Sequence, residues 1–524
     1  MYILNFEAIS PTALIEIQSL LAFVVPAFLV VLVLQRYWAL SDVPGPFLAA
    51  FTRLWHARTI KNGTHARDIS ALHRRLGHFV RIAPDEVSVA HPDGPRKLLL
   101  EALSKGYWYK TLTFPDSTYK TPMATVDPKE KIERSRLLAS AYTTSSLLQS
   151  EQAINTQVEL LLRWMDEHAF SSAPMDLSRF FTFIAYDIMG EVIFSKSFGF
   201  LEKGADIEDS LQQGLEFGAY VAVLPYFPWL QGLLVSPFFA SLRLMMPSNY
   251  VVDRSIKALE QRKKNPDARF DYVAHWLRTH ESHPHRLTAK DVQAAVTSNV
   301  SAGADTVTCA LQSFIYHTIR HPTAWKRLQA EIDEVLAEQH PQGEREEGSQ
   351  DYPVFSFATS QKLPYLQACI KECMRVCPPS TIGLQRVAPR GGITIGDRTF
   401  QAGTVLSVHL PSILLSEEIW GPDACDFVPE RWLAGEKKTA ALDKYFIPFG
   451  LGYNSCVGRT SSASSWPRSC PRLCAATMSP SSTRNRSGLT RPMLRRCQVT
   501  GRCISRREID SCNSYLEYGF IALS

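Results

Sequence analysis

The ten residues Phe449-Gly450-Leu451-Gly452-Tyr453-Asn454-Ser455-Cys456-Val457-Gly458 constrain this chain more than any other stretch. They set one cysteine in a glycine-rich turn, with an aromatic residue seven positions upstream. Gly450, Gly452 and Gly458 remove side chains that would keep a flat macrocycle away from the backbone. A thiolate in such a turn can bind haem iron, and the amides around it can donate hydrogen bonds that tune the metal. Phe449 can pack beside the ligand. The same residues also describe an ordinary buried cysteine in a glycine loop, so the weight falls on what precedes them.

From Thr288 to His321 the pattern predicts one long helix. Thr288 and Asp291 form a capping-box signature, and Pro322 stops the run. Its middle reads Ala302-Gly303-Ala304-Asp305-Thr306. Small residues there let a flat cofactor and dioxygen lie against the helix, and adjacent carboxyl and hydroxyl groups can relay protons. The plainer alternative is a packing glycine beside a solvated Asp-Thr pair. A second predicted helix, Tyr365 to Arg375, places Glu372 and Arg375 on one face at i, i+3 spacing. On a surface such a pair contributes little. Arg431, in Phe427-Val428-Pro429-Glu430-Arg431-Trp432, can join Glu372 in a buried network.

In this order and at these separations, the four segments resemble the cytochrome P450 family. The chain looks most like membrane-bound members from filamentous fungi, such as the pisatin-demethylase type, from about Val43 through Gly458. The resemblance implies a mainly α fold with a small β-rich lobe, the cytochrome P450 fold, preceded by one N-terminal transmembrane helix. It implies that Cys456 is the axial ligand of haem b and that Phe449, Gly450, Gly452 and Gly458 line the cofactor. Asp305 and Thr306 become the proton-delivery pair, and Glu372, Arg375 and Arg431 a structural triad. Arg386, in Gly383-Leu384-Gln385-Arg386-Val387, becomes a propionate partner. The implied reaction inserts one oxygen atom of O2 into a lipophilic small molecule, in secondary metabolism or detoxification. Its electrons come from NADPH through NADPH-cytochrome P450 reductase. The alternatives are a catalytically impaired or non-catalytic membrane-anchored member, and a haem-thiolate isomerase or dehydratase that needs no reductase.

Three positions depart from the family pattern. Asn454 stands where Arg or His is usual, two residues before the cysteine. Lys131 and Ser135 occupy the Trp/His-xxx-Arg positions that hold a propionate, leaving Arg134 or Arg136 as substitutes. Val307 replaces a common second threonine.

No Gly/Ser- or Pro-rich linker divides the 524 residues, so one large catalytic domain, 41–458, is expected between an anchor with the start of a hinge, 1–40, and a tail, 459–524. Leu20 to Leu34 is an apolar run that approaches the roughly 20 residues needed to span a bilayer. Arg36 follows it, with Tyr37 and Trp38 suited to the interface, so the body is expected on the cytosolic side of the endoplasmic reticulum membrane. A cleaved signal peptide and a buried core helix are the rivals. Pro44 and Pro46 stiffen the connection to the body. The aromatic stretch Tyr226-Phe227-Pro228-Trp229-Leu230 reads equally as a membrane-dipping loop or a core segment. Eleven cysteines, an odd number, predict free thiols rather than a disulfide framework. Cys369, Cys373 and Cys377 share a helix face and, with no matching His or Cys cluster, read as buried thiols.

After Gly458 the composition changes. Arg459 to Arg507 holds eleven arginines and neither lysine nor acid; with Glu508, Asp510 and Glu517 the tail carries +8 and the body −3 of the net +5. A basic tail can serve nucleic acid or acidic lipid. The resemblance instead places an amphipathic helix here, under the haem, and nucleic acid is not an expected partner. The tail lacks helical apolar periodicity, and Pro467, Pro471, Pro480 and Pro492 interrupt it. Codons TCG-AGC-TGG-CCN-AGR-TCN can encode Ser464 to Ser469. Read from the third base of the first codon, they spell Glu-Leu-Ala-(Lys/Glu/Gln)-(Ile/Val), which resembles the missing helix. A frameshifted or mis-spliced, poorly ordered tail is therefore expected.

Overall fold

A computed structural model of the protein describes residues 11–110, 112, 119–171, 173–235, 250–265, 269–339 and 355–459. The tail from residue 460 onward, with the expectations that fall on it, lies outside these residues.

The N-terminal helix runs from Pro11 to Ala39. It contains the one stretch among the described residues, Ala22–Ala39, that is long and apolar enough to cross a membrane, and none of that stretch is buried in the protein. Phe23, Val24, Phe28 and Val30 all face outward, which removes the core-helix reading. The helix is tied to the body at its C-terminal end. The buried Arg81 guanidinium donates to the carbonyls of Arg36 at 2.8 Å and Tyr37 at 3.1 Å, a cation placed where helix carbonyls lack partners.

The β-rich lobe holds a four-stranded sheet in the order β1-β2-β6-β3. β1 (Phe79–Ala83) and β2 (Glu86–Val89) pair antiparallel, and β3 (Leu384–Val387) pairs antiparallel with β6 (Val405–Val408). β2 and β6 run parallel with Ser88 opposite Ser407, so strands more than 300 residues apart in the chain form the middle of the sheet. β4 (Ile393–Ile395) and β5 (Arg398–Phe400) form a separate hairpin. Alternation splits the strands by face. Val87, Val89, Leu384, Leu406 and Val408 enter an apolar core. On the other face Glu86 accepts hydrogen bonds from Gln385 at 2.8 Å, from Tyr107 at 2.7 Å and from Ser407.

The helical core is organised by the helix Ala289–Arg320, capped by Thr288 and Asp291 in a reciprocal capping box. His321 ends it, one residue before the helix-stopping proline. It packs across the apolar helix Leu177–Phe194, and Ala304 and Ala295 share one core with that helix's aromatic side chains. A Cβ on Gly303 would sit 2.6 Å from the Met189 sulfur, so this glycine permits helix–helix contact. The helix Pro364–Val376 is buried on two sides, with Cys369 and Cys373 in the helical core and Ala368 in the core of the sheet lobe. In the aromatic stretch, Tyr226 is core, its ring centre 4.5 Å from that of His56 and tilted by 60°, whereas Trp229 is 70% exposed.

Candidate active site

The cysteine loop closes on itself through the Cys456 amide, which donates to the Phe449 carbonyl at 2.8 Å. Gly450 and Gly452 both adopt φ of 66°, the left-handed region that favours glycine. A Cβ on Gly452 would lie 2.2 Å from the Leu99 carbonyl oxygen, so this residue lets the loop press against the turn around residues 96–100. At Gly458 a hypothetical Cβ would meet the Cys456 sulfur at 3.6 Å, an ordinary contact, so the sulfur itself does not demand glycine there. Phe449 packs against the helical core. The Cys456 side chain is open to solvent yet surrounded by protein. Desolvation pushes its thiol above 9.0, opposed by hydrogen bonds from the Gly458 and Arg459 amides and by the charge of Lys131.

Beside this loop three cations are buried together. Arg386 is held on β3, Lys131 on the helix Pro128–Leu138, and Lys105 in the segment before Tyr107; all are 5% exposed or less. Lys105 Nζ donates to the carbonyls of Met123 at 2.6 Å and Pro122 at 2.9 Å. Lys131 Nζ donates to the Tyr453 carbonyl, and the Arg386 guanidinium lies 5.6 Å from the same tyrosine's ring centre. Arg386 Nε is buried without a partner. Burial first, then Lys131 and Arg386, lowers the Lys105 pKa to about 6. Burial and Arg386 lower Lys131 to about 8, against the opposing pull of Cys456. Mutually repelling cations in a poorly solvated space favour an anionic guest. Haem b, with two propionate carboxylates and an iron that takes a thiolate, fits this donor set.

The substitutes expected for the Trp/His-xxx-Arg motif stand elsewhere. Arg134 pairs with Asp291 at 2.7 Å and Glu130 at 3.1 Å. Arg136 is exposed. Both follow Lys131 on the same helix, and its 3.6-residue period turns only Lys131 toward Tyr453. Lys105 gave no signal in the sequence, because nothing local marks a lysine whose carbonyl and charge partners are 17 to 281 residues away.

On the long helix the Asp305 carboxylate accepts from the Tyr186 hydroxyl at 3.2 Å. Burial raises the Asp305 pKa from 3.8 to about 6, and the Tyr186 hydrogen bond offsets part of that rise. Asp305 is therefore no solvated surface acid. Thr306 Oγ1 donates to the Ala302 carbonyl at 2.8 Å, the bond by which a mid-helix threonine competes with the backbone ladder. Val307 packs against the helical core. Tyr186, from the neighbouring helix, is a partner that the motif itself could not reveal.

Glu372, Arg375 and Arg431 meet in one buried network. Glu372 accepts from Arg375 Nη2 at 2.8 Å and Nε at 2.9 Å, and from Arg431 Nε at 2.9 Å. The Val428 amide and Trp432 Nε1 each add a bond of 2.9 Å. Arg375 also donates to the carbonyls of Leu414 and Asp426, both at 2.8 Å, and to that of Ala424. Trp432 follows Arg431 directly, so its role was within reach of the sequence pattern.

The chain resembles known proteins over most of its length. The family model for cytochrome P450 matches residues 44–461. The chain is 31% identical over 439 residues to cytochrome P450 monooxygenase hepC of Aspergillus oryzae, covering 80% of this chain and 83% of that protein. It is 29% identical over 456 residues to benzoate 4-monooxygenase bphA of Aspergillus niger, covering 80% and 84%. It is 27% identical over 447 residues to pisatin demethylase of Fusarium vanettenii, covering 83% and 82%. A cysteine loop, a buried carboxylate–guanidinium network and a family match spanning the body leave one conclusion: the chain belongs to the cytochrome P450 family of monooxygenases.

Proposed function

We propose that Cys456 ligates the iron of haem b and that Arg386, with Lys131 and Lys105, holds the propionates. Haem, when bound, supplies dioxygen activation. Asp305 and Thr306 hold the proton that the reaction consumes, and a pKa near the working pH suits Asp305 to exchange it. Tyr186 fixes the carboxylate in position. The substrate is a lipophilic small molecule, and electrons reach the site from NADPH through NADPH-cytochrome P450 reductase. The exposed N-terminal helix anchors the enzyme in the endoplasmic reticulum membrane, with the catalytic domain, 41–458, in the cytosol. The observation that carries the reading is the cluster of three buried cations beside a thiol in a glycine turn. Cys456→Ala tests it: the ferrous–CO difference spectrum should lose its thiolate-type band, and an unchanged band removes Cys456 from the iron.

A second reading has its own support. From Arg459 to Arg507 there are eleven arginines with neither lysine nor acid, and Pro467, Pro471, Pro480 and Pro492 interrupt the segment where the family resemblance implies an amphipathic helix. We propose that the sequence from Arg459 onward comes from a frameshifted or mis-spliced junction and that the chain as written holds haem loosely. Haem stoichiometry of the purified chain, with the transcript across the codons for Cys456 to Trp466, separates this impaired form from an active one.

A further inference from the structure

Four cysteines stand where the long helix meets the helix carrying Glu372, outside the cysteine loop. Cys309 lies three residues beyond Thr306 on the helix Ala289–Arg320. Cys369 and Cys373 lie within the helix Pro364–Val376, and Cys377 is its C-cap. The thiols of Cys309 and Cys377 hydrogen-bond to each other, and Ser313 adds a side-chain hydrogen bond to Cys377. Ser313 and Cys309 are four residues apart, on one helix face. The Ser313 hydroxyl also donates to the Cys373 carbonyl at 3.3 Å, which pins the two helices together at this height. Cys309 is buried and Cys377 half-buried, a short distance from solvent for a small oxidant. None of this serves ligation of the iron or the Glu372 network.

We propose that Cys309 and Cys377 form a dithiol site that a hydroperoxide oxidises to a disulfide, stapling the long helix, one turn beyond Thr306, to the end of the helix that carries Glu372. The two sulfurs differ in readiness. Their shared hydrogen bond pushes the Cys377 thiol below 9.0, while that bond and burial push Cys309 well above it. Cys377, the half-buried sulfur of the pair, is the one a small oxidant reaches first and is the attacking thiolate. It displaces hydroxide from hydrogen peroxide, breaking the O–O bond and forming a sulfenic acid. The Cys309 sulfur then attacks the sulfenic sulfur, its proton leaving with the displaced hydroxide as water. Two thiols and one peroxide become one disulfide and two waters. In a reducing compartment such a bond is transient, as expected of a redox-responsive thiol pair.

Trypsin cleavage separates the four cysteines. Cys309 falls in peptide 291–320, Cys369 in 363–371, Cys373 in 372–375 and Cys377 in 376–386. The full-length chain in detergent is treated with hydrogen peroxide, alkylated with N-ethylmaleimide and digested without reductant. The expected result is a cross-linked 291–320/376–386 species at least tenfold above the untreated sample, lost on adding dithiothreitol. It should vanish in Cys309→Ser and persist in Cys373→Ser. Recovery of both peptides as separate alkylated species, or linkage of Cys377 to the Cys369 or Cys373 peptide instead, overturns the proposal. The wild-type digest decides the matter even if a variant fails to fold. Because neither sulfur lies in the haem-ligand loop, a negative result here leaves the Cys456 assignment untouched.

Discussion

Two buried charge clusters flank the site, and they are built on opposite principles. Around Glu372, five donors from four residues converge on one carboxylate, and Arg375 spends its remaining hydrogens on backbone carbonyls. Around Arg386, two lysines and a guanidinium face one another, and Arg386 Nε has no acceptor. The first cluster is complete within the chain. The second is relieved when Lys105 gives up its proton or when an anion enters. Since unpaired buried charge opposes folding, this cluster costs stability in the haem-free chain, which accords with the propionate-binding role proposed for it.

The sharpest way to break this comparison is to unbalance the complete cluster. Glu372→Ala leaves two buried guanidiniums without their carboxylate and should destabilise the chain by about 4 kcal/mol, read as a fall in the urea midpoint or a loss of soluble protein. A stability within error of the wild type would mean that the network contributes little.

In the unbalanced cluster the sign reverses. Unfolded, Lys105 keeps its proton up to 10.5; folded, it releases it above about 6. Stability of the haem-free chain should therefore climb with pH across that window, because the unfolded state binds more protons there. Lys105→Met should remove about 3 kcal/mol of the gain between pH 7 and pH 9, measured by urea denaturation at both values. The same variant should release haem to apomyoglobin roughly tenfold faster, the equivalent of one lost propionate contact. An identical pH slope in the variant would show that Lys105 stays charged without the cofactor.

A third cluster lies between these extremes, polar but uncharged. His56 and His65 stack at 4.9 Å, and His409 stands 5.9 Å from His65 and 5.8 Å from His73. Burial holds His65 and His73 down to about 4, and His56 and His409 well below 6.5. Their depressed values mean full stability above pH 6.5 and loss as pH falls toward 4, since the unfolded chain takes up protons first. His65→Gln should lessen the stability lost between pH 7 and pH 5 by about 2 kcal/mol, followed by thermal melting at each pH. An unaltered acid sensitivity would shift the effect to other groups.

The sequence by itself determined the features written in adjacent residues. Thr288, Asp291 and Pro322 bounded the long helix, because caps and a missing amide act within one turn. The spacing of Glu372 and Arg375 put both on one helix face, and the glycines around Cys456 marked a turn. Only the tertiary structure decided which cations share the cavity: Lys105 and Lys131 face Arg386, while Arg134 is taken by Asp291 and Arg136 faces water. It likewise turned Gly303 toward Met189 and brought Tyr186 to Asp305, 119 residues away in the chain. The reason is physical. Helix caps and turns are settled by a residue and its near neighbours, whereas burial, charge pairing and pKa depend on what the fold brings within a few ångströms from distant parts of the chain.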